Sequence, residues 1–152
     1  MRRLFAFALI LALLLATAAM GEETFLDDTG APVSPEAPPR VAALSGSLAQ
    51  IWLLAGGKVA GVTQDALEER DLGLGEDVVN AGSLKTPSAE LILAAGVDFA
   101  LLTPTLSGHI ALGETLRAAG VRQAVFAVEP FADYLRFLAF CTRLTAPPPR
   151  HA

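Results

Sequence analysis

The chain has 152 residues, of which 53% are hydrophobic, and a formal net charge of −5. This length and hydrophobic content allow one domain with a packed core. Charged residues are sparse and their balance is acidic, which argues against a nucleic-acid-binding surface. The single cysteine, Cys141, excludes an internal disulfide.

The N-terminus has the pattern of an export signal. Arginines at positions 2 and 3 precede an unbroken apolar run over 4–16, and small residues suited to cleavage follow at 16–19. The apolar run is too short for a comfortable membrane span. The sequence therefore predicts a signal peptide over residues 1–20 and a protein exported to the periplasm or the cell exterior.

A β-hairpin is predicted at the start of the mature chain. Residues 24–27 favour a strand, residues 28–30 are typical of a turn, and residues 31–34 favour a returning strand. Prolines then favour an extended approach to a first buried strand over 41–44. Ser47 is the predicted N-cap of the helix that follows.

One pattern occurs three times: a short helix, a glycine that ends it and an apolar strand. The glycines are Gly56, Gly96 and Gly120, and the predicted strands after them are 59–62, 97–102 and 125–128. Glycine can take the left-handed conformation that ends a helix, and nearly continuous apolar runs are typical of strands buried on both faces. Three such units in series predict an α/β fold, a Rossmann-like parallel sheet lobe flanked by helices.

The remaining stretches complete this predicted lobe. Residues 63–77 are interpreted as a solvated loop with one short helix, 78–81 as a strand and 110–119 as a helix. A longer helix begins at Pro130 and stops at the prolines of 147–149. Its predicted apolar stripe consists of Phe131, Tyr134, Leu135, Leu138 and Cys141 or Thr142.

Two single residues, Trp52 and Cys141, are interpreted as core residues rather than as reactive or ligand-binding groups.

Candidate ligand-binding residues follow the predicted strands, because ligands of open parallel sheets collect beyond the carboxyl ends of the strands. These candidates are Ser45, Gly46, Ser47, Thr63, Gln64, Ser83, Lys85, Thr105 and His109. His109 is interpreted as a loop histidine that is either solvated or in contact with ligand. The loops after the strands hold no Ser/His/Asp or Cys/His grouping, and the two histidines and one cysteine lack metal-binding spacing. The sequence therefore predicts no catalytic residue, no cofactor and no metal site.

Glu90 stands apart from these candidates. It lies in the first turn of the helix predicted after Pro87, where negative charge is favoured, and Ser88 or Thr86 is the predicted cap. Two interpretations stay open. Glu90 either complements the helix dipole or forms an exposed charged contact at the end of the lobe.

Four segments together resemble the N-terminal lobe of the periplasmic binding proteins for iron–siderophore complexes and vitamin B12. They are Phe25–Gly30, Pro38–Val41, Gly61–Val62 and Pro87–Asp98. The resemblance extends over about residues 24–145. It implies non-covalent capture of an iron chelate, haem or cobalamin between two α/β lobes, by a protein that is not an enzyme.

The resemblance also implies domain boundaries and a partner. Residues 21–129 match the ligand-binding N-terminal lobe, and residues 130–145 match the start of the long helix that joins the two lobes. Proteins of this family dock on a membrane permease of the ABC type through a glutamate on each lobe. Glu90 matches the glutamate of the N-terminal lobe.

The chain departs from the family's pattern in two places. Val97 stands where the family has a proline, and the proline-rich end at 146–149 stands where the family continues into its second lobe. We therefore expect a truncated or frame-shifted chain with a tail over 146–152. An exported α/β hydrolase-type enzyme and a non-functional truncated lobe are the alternative interpretations.

Overall fold

The computed structural model describes residues 24–34, 36, 38 and 40–146. The strands are β1 (Phe25–Leu26), β2 (Pro32–Val33), β3 (Val41–Ala43), β4 (Gly61–Val62), β5 (Val79–Asn80), β6 (Phe99–Leu102) and β7 (Arg122–Val125). The helices are α1 (Gly46–Leu54), α2 (Gln64–Glu68), α3 (Ala89–Ala94), α4 (Ser107–Ala118) and α5 (Phe131–Thr145). From β3 onward strands and helices alternate, as the predicted α/β fold requires.

Strands β3 to β7 form a parallel five-stranded sheet in the order β5-β4-β3-β6-β7. The chain builds outward from β3 to β5 and then returns to the other side of β3 with β6. This reversal opens a crevice beyond the carboxyl ends of β3 and β6, which is where open α/β sheets bind ligands. The parallel sheet predicted from the sequence is confirmed.

The three glycines that end helices have the predicted conformation. Gly56, Gly96 and Gly120 have φ angles of +89°, +68° and +85°. Each donates its N–H to the carbonyl three residues back, at 2.9, 3.0 and 3.0 Å. Only glycine takes this left-handed conformation without strain. The recurring helix–glycine–strand unit is therefore confirmed.

Helices cover both faces of the sheet with apolar side chains. One face packs against α1 and α5, with Trp52, Phe137 and Phe140 buried there. The other face packs against α3 and α4 through Ile92 and Leu116. Burying one such side chain contributes about 1.5–3 kcal/mol. A sheet covered on both faces explains why its strands are almost wholly apolar.

The predicted core roles of two residues are confirmed. Trp52 is buried, and its indole N–H donates to the Lys58 carbonyl at 2.9 Å. Cys141 is buried on α5, and this burial raises the pKa of its thiol.

The N-terminal hairpin, β1 paired antiparallel with β2, is also confirmed. Asp27 Oδ1 accepts from the N–H of Thr29 (2.9 Å), the Thr29 hydroxyl (2.6 Å) and the N–H of Ala31 (3.1 Å), which shapes the turn.

Two aspartates of the hairpin also bond to the rest of the lobe. Asp27 Oδ2 accepts from the N–H of Val125 at 3.1 Å. Asp28 bonds to the N–H of Ala127 at 2.6 Å and pairs with Arg136. The two aspartates thereby fasten the hairpin to the end of β7 and to α5.

Two helix starts differ from the sequence-based predictions. The N-cap of α1 is Ser45, not Ser47, because the Ser45 Oγ accepts from the N–H of Leu48 at 3.2 Å. Gly46 and Ser47 thus lie in the first helical turn rather than in a loop. Helix α4 begins at Ser107, three residues before the predicted start at 110.

The predicted position of the last strand was also wrong. β7 is Arg122–Val125, paired with Phe99–Leu102, whereas the prediction chose the apolar run 125–128. The pairing register with β6 decides the position, and it places the polar Arg122 and Gln123 in the strand. Residues 126–129 consequently lie beyond the carboxyl edge.

The predicted apolar stripe of α5 was correct only in part: Cys141 is buried and Tyr134 and Leu138 are half-buried against the core, but Phe131 and Leu135 are not. The buried residues are Phe137, Phe140, Cys141 and Leu144. Phe131 and Leu135 are 72% and 48% exposed. The ring of Phe126 decides the orientation, because it packs against Phe137 and Phe140 at centroid distances of 4.9 and 4.7 Å.

The predicted signal peptide (1–20) and the tail after residue 146 lie outside the described residues. None of the helices in the described part of the chain has the length and apolar character needed to cross a membrane.

Candidate functional site

A cleft of about 210 Å³ opens at the carboxyl edge of the sheet, at the crevice between β3 and β6. Its walls come from the segments that follow β3, β5, β6 and β7. The lining residues are Ser45, Ser47, Leu48, Leu84, Thr103, Thr105, Leu106, Phe126, Val128 and Glu129. The cleft therefore combines an apolar floor with hydroxyl groups and one carboxylate, as small-molecule sites commonly do.

The first turn of α1 forms one wall and is held by charged side chains. The N–H of Gly46 donates to Asp65 Oδ2 at 2.7 Å, and Arg70 donates to the Ser47 hydroxyl at 3.1 Å. A Cβ at Gly46 would lie 2.5 Å from the Arg70 side chain, so glycine leaves the room that Arg70 occupies. Gly46 is consequently buried behind this wall.

Hydroxyl groups form the opposite wall, directly after β6. The hydroxyls of Thr103 and Thr105 share a hydrogen bond of 2.9 Å. Thr105 is exposed, while Thr103 is buried at the base of the cleft. A hydroxyl pair of this kind can rotate to donate to a ligand or accept from it.

His109 lies under the cleft and joins two of its segments. The N–H of Thr103 donates to His109 Nδ1 at 3.2 Å, which places the ring proton on Nε2. Nε2 then donates to the Leu84 carbonyl at 2.7 Å. The prediction of a loop position was wrong, since His109 lies in the first turn of α4 and is 0% exposed.

Burial also controls the charge of His109. Loss of hydration lowers the pKa of the imidazole, and this effect outweighs the Leu84 hydrogen bond and the Asp65 charge, which both raise the pKa. The ring is therefore neutral at pH 7. With both nitrogens engaged inside the lobe, it holds the segment after β5 against the end of β6.

The segment after β5 packs closely on the start of α4. A Cβ at Gly108 would lie 2.0 Å from the Lys85 carbonyl oxygen, so only glycine fits at this position. The Ser83 and Thr86 hydroxyls bond to each other at 2.9 Å. Ser83 and Lys85 are exposed at the rim and do not line the cleft.

Two side-chain oxygens just after β4 lack a hydrogen-bond partner among the described residues. They are Thr63 Oγ1 and Asp65 Oδ1, both buried. Thr63 follows β4 and is 0% exposed, and Gln64 is exposed on α2 with its amide bonded to Glu68 at 2.6 Å. The structure therefore places Thr63 beneath the edge and Gln64 outside the cleft.

The structure thus brings together three of the predicted ligand-binding residues, Ser45, Ser47 and Thr105, as lining of one cleft. The other six surround that cleft or lie beneath it. Sequence reasoning missed Phe126, Val128 and Glu129 because it assigned most of that segment to the last strand. If the last strand is paired with β6 from Arg122 onward, residues 126–129 fall beyond the carboxyl edge, where Phe126, Val128 and Glu129 line the cleft.

The cleft offers no arrangement for bond cleavage among the described residues. Both nitrogens of the histidine nearest its hydroxyls are hydrogen-bonded within the lobe, so neither can activate a nucleophile. No group of three or more His, Cys, Asp or Glu side chains that could hold a metal ion occurs in the described part of the chain. The lining itself supplies hydroxyl groups, apolar side chains and the Glu129 carboxylate.

Glu90 lies at the same end of the lobe. It is exposed in the first turn of α3, and the Ser88 Oγ caps that helix by accepting from the N–H of Leu91 at 3.3 Å. Of the two predicted caps, Ser88 is correct. Because α3 starts near the rim, Glu90 and the cleft face the same edge of the sheet.

No protein-family model matches the sequence. No curated protein matches it either. Solved structures do match its fold. The catecholate-siderophore binding protein VctP of Vibrio cholerae is 18% identical with a TM-score of 0.62, and the match covers 81% of this chain and 45% of VctP.

Two further solved structures show the same likeness. The vitamin B12 binding protein BtuF of Vibrio cholerae is 19% identical, with a TM-score of 0.59 and coverage of 75% and 44% of the two chains. The heme-binding protein RhuT of Roseiflexus sp. RS-1 is 25% identical, with a TM-score of 0.54 and coverage of 71% and 44%. The chain spans less than half the length of these proteins. Its described residues have the fold of one part of the periplasmic binding proteins for siderophores, haem and vitamin B12.

Proposed function

We propose that this chain is the ligand-contacting lobe of an exported binding protein that captures a metal chelate of the siderophore, haem or cobalamin type without covalent chemistry. The cleft at the strand reversal carries the proposal, since it lies where open α/β sheets bind ligands. Its hydroxyls and apolar floor suit the polar rim and apolar body of such a chelate. The matched solved structures, all named as binding proteins, support the same role.

Delivery to a membrane permease of the ABC type completes the proposal. Glu90 is exposed, faces the same edge as the cleft and has no ion pair within 4 Å among the described residues. Its carboxylate is thus free to accept a charge-assisted hydrogen bond from an arginine of the permease. The predicted signal peptide supplies the route to the periplasm.

The test is a calorimetric titration of the full chain with three probes: a ferric tris-catecholate, haemin and cyanocobalamin. We expect saturable binding of one of them. We expect Thr105→Val to weaken that binding about tenfold, because one hydrogen bond to the ligand is lost. Thr115→Val removes the same group from the exposed face of α4 and should leave the affinity unchanged.

Two results would contradict the proposal. Absence of saturable binding by all three probes would favour the interpretation as a non-functional lobe. Equal losses of affinity in the Thr105 and Thr115 variants would show that the cleft is not the binding site.

A further inference from the structure

A second cavity, of about 260 Å³, lies at the opposite end of the sheet, between the N-terminal hairpin and the amino-terminal ends of β6 and β7. Its floor is apolar and includes Val33, Phe99 and Val121. Two guanidinium groups, those of Arg117 and Arg122, line it together. This cavity plays no part in the proposed chelate site.

Arg122 is held over the apolar floor. Its guanidinium carbon lies 5.5 Å from the centroid of the Phe99 ring. One nitrogen of the same group lies 3.7 Å from the carboxylate of Glu36, whose side chain is 81% exposed. An exposed pair of this kind contributes little to stability, so Glu36 is a carboxylate that a competing anion can displace.

Arg117 is oriented by a different partner. In the amide orientation that satisfies its neighbours, with the side-chain O and N exchanged, Gln123 donates to the Gly113 carbonyl at 2.9 Å and accepts from Arg117 Nη2 at 2.5 Å. A Cβ at Gly113 would lie 3.2 Å from both terminal amide atoms of Gln123, so glycine in the middle of α4 gives this amide its place. Among the described residues, no carboxylate lies within 4 Å of Arg117.

One acidic residue, Asp27, also lines the cavity, but its carboxylate is occupied. Its two oxygens accept four hydrogen bonds from Thr29, Ala31 and Val125. These donors disperse the negative charge. The charged lining, two arginines and one aspartate, therefore has a net charge of +1 in a chain whose overall charge is negative.

We propose that this cavity binds a small oxyanion between Arg117 and Arg122, with Glu36 released from Arg122. The planar guanidinium fork matches the oxygen geometry of carboxylates and phosphates. The apolar floor excludes water from one side of the site, while Arg117 reaches it from the exposed surface of α4. The ion pair with Glu36 already shows, within the chain, that Arg122 binds a carboxylate.

The test follows the side-chain Nε–Hε signals of a ¹⁵N-labelled full chain by NMR at low ionic strength, during separate titrations with inorganic phosphate and succinate. We expect saturable shifts of the Arg117 and Arg122 signals with at least one probe. Arg117→Gln and Arg122→Gln should each weaken binding about tenfold. Glu36→Gln should strengthen it, because the internal competitor is gone.

Two further variants serve as controls. Lys58→Gln makes the same charge change at an exposed residue outside the cavity and should leave the affinity unchanged. Arg122→Lys keeps the charge but loses the fork, so its affinity should lie between those of the parent and Arg122→Gln. If Arg122→Gln fails to fold, Arg122→Lys still tests the role of the guanidinium group.

Shifts that do not saturate would overturn the proposal. So would an equal loss of affinity in Lys58→Gln, since that would indicate general charge screening. Chelate titrations of Arg117→Gln should match those of the parent, so failure of this proposal and failure of the proposed function are distinguishable.

Discussion

At the scale of single residues, His109 shows how a polar group becomes structural once it is buried. Its two ring nitrogens bond to the N–H of Thr103 and the carbonyl of Leu84, which belong to the segments after β6 and β5. The neutral ring suits both bonds, because Nδ1 can accept only when it carries no proton. The rim of the cleft is therefore tied to the protonation state of one side chain.

We predict that His109 makes the stability of the lobe depend on pH. Its pKa in the folded chain lies below the ordinary 6.5, so the unfolded chain takes up the proton first as the pH falls. The contribution of His109 is fully present above about pH 6.5 and is lost as the pH falls toward the folded pKa. The loss is about 1.4 kcal/mol for each pH unit between the two pKa values.

The measurement is urea unfolding at several pH values between about pH 7 and pH 5. In the parent, the free energy of unfolding should fall more steeply over this range than in His109→Gln. The glutamine amide can donate to the Leu84 carbonyl but does not titrate. Equal slopes for the two proteins would contradict the prediction.

At the scale of elements, α5 shows that helical periodicity alone defines the buried face of a helix only in part. Its apolar residues are so frequent that two stripes fit the spacing, one with Phe131 and Leu135 and one with Phe137 and Phe140. The sheet decides between them, because Phe126 packs against the second stripe. Phe131 and Leu135 are left at the surface.

We predict that two matched substitutions on α5 differ sharply in effect. Phe137→Ala should lower the free energy of unfolding by about 3–5 kcal/mol, because it opens a cavity in the aromatic cluster. Phe131→Ala removes the same ring from the surface and should change it by about 0.5 kcal/mol or less. Chemical denaturation of both variants measures the difference, and similar losses would mean that the helix packs through another face.

At the scale of the whole molecule, the cleft and the proposed docking residue share one edge of the sheet. This follows from the parallel arrangement, in which every strand ends at the same edge and every following helix begins there. Ligand and permease would therefore meet the lobe from the same side.

We predict that Glu90→Ala leaves the fold intact and weakens docking on the cognate permease, reconstituted in nanodiscs, about tenfold. The reason is the loss of a charge-assisted hydrogen bond at an exposed position. Glu114→Ala, an exposed glutamate on α4, is the matched control and should dock like the parent. Thermal melts check that both variants fold, and equal affinities for Glu90→Ala and the parent would refute the role of Glu90.

Several features of the fold could be predicted from the sequence because local physics specifies them. Gly56, Gly96 and Gly120 end helices since glycine alone takes the required φ without strain. Apolar runs indicate strands covered on both faces. The Asp27–Gly30 turn depends on hydrogen bonds between neighbours in the chain.

Other features were decided only by the tertiary structure, because they depend on partners far away in the sequence. Pairing with β6 set the position of β7 and thereby brought Phe126 and Glu129 to the cleft. Contacts with Leu84 buried His109, a residue whose local sequence resembles a solvated loop. The sequence by itself determined which elements form, and the sheet determined which of their faces and ends meet, because burial is a property of the assembled lobe.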